Sequence, residues 1–131
     1  MNPEEFKART KGYGLRVIRL VEALPHGFTP GVLGKQLLRA GTSVGANYRA
    51  ACRAKSPADF VSKLGNVEEE CDESLYWMEQ LIDAGYLKAG RAAALMREGE
   101  EILSMVVAST KTARANNGLH RQTLLLLSID F

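Results

Sequence analysis

The sequence predicts an all-α protein folded as an antiparallel up-down four-helix bundle. Three observations carry that expectation. Apolar residues recur at three- and four-residue steps through four successive segments. Proline- and glycine-bearing breaks separate these segments. Each segment is about 22–28 residues, roughly 33–42 Å at 1.5 Å per residue, and short breaks between long helices make sequential neighbours antiparallel.

The first helix is expected over about 3–24. Asn2 can cap free backbone amides, Pro3 suits a first helical turn, and Phe6, Tyr13, Val17, Leu20 and Leu24 share one face. Pro25, Gly27, Pro30 and Gly31 then interrupt it. The second helix is expected over about 30–54, with Thr29 as its cap before Pro30. Its apolar face is Leu33, Leu37, Ala40, Val44, Asn47 or Tyr48, and Ala51. Glycines at 34, 41 and 45 each cost on the order of 1 kcal/mol relative to alanine. The apolar period nevertheless continues through all three, and small residues there let a neighbouring backbone come close. A third helix, about 57–84, has the clearest start: Ser56 as cap, Pro57 next, and Asp59 in the first turn, where its charge favours the positive end of the helix dipole. Phe60, Leu64, Val67, Cys71, Leu75, Met78 and Leu81 or Ile82 mark its buried face, and Gly85 its stop in a left-handed conformation. The fourth helix is expected over about 88–116, through Leu95, Gly99, Ile102, Val106, Thr110 and Ala113, ending at Asn116–Gly118. Residues 1–118 thus form the bundle, and 119–131 an apolar tail whose Leu124–Leu127, Ile129 and Phe131 would dock on the bundle itself or on a neighbouring subunit.

With 131 residues, 46% of them hydrophobic and 24% charged, the chain has the length and composition of one globular domain. It contains neither a signal-peptide pattern nor an apolar run of membrane-spanning length, which makes the cytoplasm the expected compartment, without membrane partners. Cys52 and Cys71 do not form a CxxC pair and read as reduced packing residues. The net charge of +2 is distributed unevenly: +7 over residues 1–67, −7 over 68–108 and +2 beyond. Such asymmetry either pairs a basic helix with an acidic one or leaves a basic surface for an acidic partner.

Several chemistries can be weighed against these residues. The stretch Gly41–Ala46, GTSVGA, lacks the lysine and the preceding strand of a phosphate loop. The acids of Glu68–Glu73 suggest metal binding, but di-iron bundles pair such carboxylates with Glu-x-x-His motifs, and neither His26 nor His120 has a glutamate three residues before it. A serine or cysteine nucleophile would meet the same shortage of bases. The sequence therefore predicts a protein without catalytic activity, metal or cofactor. Lys35, Arg39, Thr42, Ala46, Arg49 and Arg53 recur at three- and four-residue steps and form a second stripe along the second helix. Its cations, Lys35, Arg39, Arg49 and Arg53, are the candidate nucleic-acid-binding residues, because arginine pairs bidentately with phosphate and displaces counterions. The competing reading pairs them with Glu68–Glu73, within the bundle or across a subunit contact. Tyr76 and Trp77 sit beside the core positions Leu75 and Met78, and not all four can face one core, which leaves Trp77 at a helix edge, at a subunit interface or in the core.

The stretch Gln36–Leu81, with Arg39, Ala40, Thr42, Ser43, Val44 and Asn47 followed by Ser56, Asp59 and Phe60, resembles a family signature. It is that of the bacterial four-helix-bundle proteins named for the intervening sequences of large-subunit ribosomal RNA genes. These are similar to the accessory variability protein of diversity-generating retroelements. The resemblance implies a barrel- or ring-like homo-oligomer, specifically a homopentamer. For the retroelement relatives it also implies a basic surface that binds RNA or DNA and a reverse transcriptase as protein partner. Two readings of function follow: a nucleic-acid-binding accessory factor, or a protein-interaction scaffold whose charged helices serve self-assembly.

Overall fold

The computed structural model describes the backbone of residues 2–129 and the side chains of residues 2–118. Within it lie four helices and no strand: α1 (Pro3–Glu22), α2 (Phe28–Ala51), α3 (Pro57–Asp83) and α4 (Ala89–Ile129). Local chemistry sets most of the boundaries. The Asn2 side chain accepts a hydrogen bond from the Glu5 amide at 2.8 Å, and Glu4 and Glu5 place negative charge in the first turn of α1. At α3, Ser56 Oγ accepts from the Asp59 amide at 3.0 Å, while the Asp59 carboxylate accepts from the Lys55 amide and pairs with Lys63 at 2.7 Å. Gly85, at φ +86°, ends that helix. The Tyr86 amide donates to Leu81 O and the Gly85 amide to Ile82 O, the two bonds of a Schellman motif.

Two boundaries depart from the sequence expectation. Thr29 is not the cap of α2: the helix starts at Phe28 after Gly27, whose φ of +151° suits glycine, and no side chain caps it. Pro30 sits in the first turn without cost to the hydrogen bonding, since amides there have no partner inside the helix. Nor do Asn116–Gly118 end the fourth helix. α4 continues to Ile129 as a 41-residue helix. Asparagine and glycine are only weakly unfavourable inside a helix, whereas a stop needs a proline or a left-handed residue; Gly118 has no positive φ. Whether the apolar tail docks on its own bundle or on a neighbour lies outside the described side chains.

Sequential helices pack antiparallel. Along the α1–α2 seam Gly45 lies against Thr10 and Lys11, Gly41 against Val17, and Gly34 against Val21 and Leu24. A Cβ on Gly41 would stand 2.7 Å from both Val17 methyl groups, and one on Gly45 would stand 3.3 Å from the backbone of Thr10 and Lys11. A side chain at Gly41 would force Val17 to shift, and one at Gly45 would press on the backbone of α1, so glycine suits this close approach. The core contains Tyr13, Val17, Leu37, Val44, Leu64, Val67, Cys71, Met78, Leu81, Ile102 and Val106, all fully or nearly fully buried. Burying each larger aliphatic side chain is worth roughly 1.5–3 kcal/mol. Tyr48, rather than Asn47, enters this core, packing edge-on against Phe6 with ring centroids 4.6 Å apart. Asn47 instead donates to Ser43 O. The buried Tyr13 hydroxyl lies 2.7 Å from Ser74 Oγ; Ser74 in turn donates to Cys71 O, so Tyr13 is the donor of this pair. Burial raises the pKa of the Tyr13 phenol, which stays neutral.

Candidate nucleic-acid interface

The four candidate cations do not share one environment: Lys35, Arg39 and Arg49 lie on α2, whereas Arg53 lies in the turn after it, because the helix ends at Ala51 rather than near 54. Arg39 reaches across to α3, where it binds Glu70 at 3.1 Å and Glu73 through a second guanidinium nitrogen. Glu73 also accepts from Trp77 Nε1 at 3.2 Å, which holds the indole at the edge of α3 with its ring edge-on to the exposed Tyr76. The bond from Arg39, supplemented by Trp77, holds the Glu73 carboxyl below the ordinary carboxylate range. Arg39 thus has two carboxylate partners on α3, unlike the other three candidates.

Lys35, Arg49 and Arg53 are exposed and form no ion pair among the described residues. Arg49 lines a groove of about 340 Å³ between α1 and α2, together with Lys7, Lys11 and Thr42 over a wall formed by Leu15 and Ile18. Gly14 and Gly45 line it too. The same close approach of α1 and α2 that needs glycine therefore brings cations from both helices to one groove. Lys7 has only an exposed partner, Glu4, one helical turn away at 3.0 Å. Thr42 is exposed, its hydroxyl donating to Leu38 O at 2.8 Å. Reasoning from α2 alone missed Lys7 and Lys11. Their spacing of one turn on α1 was a readable signal, but nothing in the sequence placed them opposite Arg49.

A second basic groove, of about 590 Å³, lies at the other end of the seam between α1 and α4. Arg16, Arg19, Lys88 and Arg91 rim it, Leu20, Leu24, Leu87 and Leu95 provide its apolar surface, and no carboxylate lines it. These cations come from two stretches far apart in the sequence, and no single-helix pattern joins them.

Acidic residues divide in the same way. Glu70 and Glu73 bind Arg39, and Glu98 and Glu101 bind Arg9 of α1, with Arg9 to Glu98 at 2.7 Å. This second pair is largely shielded, Arg9 being 24% and Glu98 20% exposed. The Arg9 hydrogen bond lowers the Glu98 pKa. Glu68, Glu69 and Asp72 instead line a groove with Gly65 and Leu103, with no cation among its lining residues. The charge asymmetry of the sequence is thus neutralised internally in part and displayed in part.

Other chemistry is sparse. Cys52 and Cys71 are free thiols. Cys71 is buried, donates to Gly99 O at 3.2 Å, and has its pKa pushed up to about 12 chiefly by desolvation, which keeps it protonated and a poor nucleophile. Among the described residues no group of three His, Cys, Asp or Glu side chains is placed to hold a metal ion. Among the described residues no helix is long and apolar enough to cross a membrane.

Comparison with other proteins places the architecture in a known group. Residues 6–108 match the 23S rRNA-intervening sequence protein family. A crystal structure at 1.70 Å of a protein of unknown function from Bacteroides thetaiotaomicron VPI-5482, described as from the S23 ribosomal protein family, is similar at 32% sequence identity with a TM-score of 0.77. That similarity covers 85% of this chain and 99% of the other. Functionally curated proteins give no match. With most of its length matched and a homologous four-helix structure in hand, the chain belongs to the 23S rRNA-intervening sequence protein family.

Proposed function

We propose that this protein is a non-catalytic nucleic-acid-binding accessory factor that works as a cytoplasmic homo-oligomer. The observation that carries this reading is the α1–α2 groove, where Lys7, Lys11 and Arg49 converge from two helices without a carboxylate among the lining residues. Cations held on two rigid helices can follow a phosphate backbone, and neutralising several phosphates releases counterions. Lys35 extends the charge along α2 and Arg53 extends it into the turn that follows; Arg39 is set aside in this reading because Glu70 and Glu73 already pair with it. No aromatic residue lines the groove: Tyr48 of α2 is buried and the exposed Phe28 lies at the N-terminus of α2 outside it, so recognition in the groove rests on phosphate and shape rather than base stacking. The resemblance to the retroelement accessory protein supports a pentameric ring and a reverse transcriptase as a protein partner.

The test is fluorescence anisotropy with structured RNA, single-stranded RNA and DNA over a salt series. Lys11→Glu combined with Arg49→Glu is expected to lower affinity by about tenfold or more and to flatten the salt dependence. Absence of binding at low salt, or an affinity untouched by the double reversal, defeats the reading.

A second reading, a scaffold whose charged surfaces serve self-assembly, is favoured by one observation. The acidic groove of Glu68, Glu69 and Asp72 and the basic α1–α2 groove are complementary surfaces of the same chain. Under this reading the same double reversal dissociates the oligomer in light scattering, and an unchanged mass counts against it.

A further inference from the structure

The family match ends at residue 108, but α4 does not. Among the residues of α4 whose side chains are described, Thr110 is the last that is buried, and none of residues 111–118 is. The helix nevertheless runs on to Ile129, about 28 Å beyond Thr110 at 1.5 Å per residue. The last part of that extension reads Leu124, Leu125, Leu126, Leu127, Ser128, Ile129, followed in sequence by Asp130. Four consecutive leucines make an apolar run without the polar interruptions of an ordinary surface helix, and such a segment is suited to an apolar surface that covers it.

The groove between α1 and α4 has that character. It offers about 590 Å³, an apolar surface including Leu20 and Leu95, and a rim formed by Arg16, Arg19, Lys88 and Arg91 without a carboxylate. These four cations make no ion pair among the described residues. The groove also lies at the opposite end of α4 from the extension. From Leu95 to Thr110 the helix axis carries the chain about 22 Å away from the groove, and the extension continues in the same direction. A continuous helix cannot return to its own groove, whereas the extension of another molecule can reach it.

We propose that the α1–α4 groove receives the apolar C-terminal segment Leu124–Asp130 of a second copy of this chain, its leucines on the groove's apolar surface and Asp130 near the cationic rim. The contact joins two different surfaces, so repetition closes into a ring or continues as an open chain of molecules. It is independent of nucleic-acid binding at the α1–α2 groove, and the two can fail separately.

Complementation between full-length variants tests it. Arg19→Glu with Arg91→Glu alters only exposed rim positions, and Leu125→Asp with Leu127→Asp alters only the extension. Each variant alone is expected to lose the highest-mass species of the wild type in sedimentation velocity, with unchanged far-ultraviolet circular dichroism. An equimolar mixture is expected to regain a paired species, because one variant keeps an intact groove and the other an intact segment. A rim variant with wild-type mass overturns the proposal, as does a mixture that regains nothing. A rim variant that loses RNA affinity while keeping its mass assigns the groove to nucleic acid instead, and equally overturns it.

Discussion

Helix α2 has two seams built on opposite principles. Towards α1 it presents glycine, and at Gly45 the two backbones come close enough that a Cβ would stand 3.3 Å from the opposing chain. Towards α3 it uses a long side chain, Arg39, which spans the gap to Glu70 and Glu73. The first seam leaves its cations in solvent around a groove; the second neutralises its cation. A regular basic stripe on one helix is therefore not one functional unit. The neighbour that each cation meets determines whether its charge stays available.

The glycine seam is the more easily broken. Gly41→Val forces branched carbons against Val17, itself a stiff β-branched residue, and is expected to destabilise the fold by about 1–3 kcal/mol in denaturant titration. If the variant unfolds at the wild-type midpoint, close approach is not what holds α1 to α2. A helical glycine with open space around it should respond with the opposite sign. Nothing lies within 4 Å of a Cβ built on Gly65 in α3, so Gly65→Ala should stabilise by up to about 1 kcal/mol through helix propensity alone. A lower midpoint would reveal a contact at that surface.

The charged seam should yield the smallest effect. Arg39 is 46% exposed, and exposed ion pairs contribute little, so Arg39→Ala should shift the thermal midpoint only slightly and leave nucleic-acid affinity unchanged. Its pH dependence has a definite sign. Because Arg39 depresses the Glu73 pKa in the folded protein, the pair's contribution is fully present above the ordinary carboxylate pKa, near 4.3, and is lost as pH falls through the lower folded value. The small gap between wild type and Arg39→Ala should therefore close only in acid. A gap that persists at the lowest pH assigns the effect to packing of the arginine stem instead.

Much of the interior was legible from periodicity. Leu64, Val67, Cys71, Leu75, Met78 and Leu81 follow the helical repeat in the sequence and are buried in the bundle. Periodicity left adjacent pairs open because neighbouring helical residues differ by only about 100°, and packing resolved them: Tyr48 over Asn47, Leu81 over Ile82. Helix ends followed local chemistry where a cap or a left-handed glycine was available, as at Ser56 and Gly85. At Asn116–Gly118 composition alone suggested a stop, but without proline or left-handed geometry the helix ran on.

The amino-acid sequence by itself determined that the chain forms amphipathic helices, where α3 begins and ends, and that α2 carries cations at helical spacing. Those properties depend on caps, propensities and a 3.6-residue period, all of which act within a few residues. Tertiary structure alone decided that Arg39 is spent on α3, that Arg49 meets Lys7 and Lys11, and that Arg16 and Arg19 share a groove with Lys88 and Arg91. Electrostatic partnership depends on distances of a few ångströms between residues far apart in the chain, and only the packing of helix against helix sets those distances.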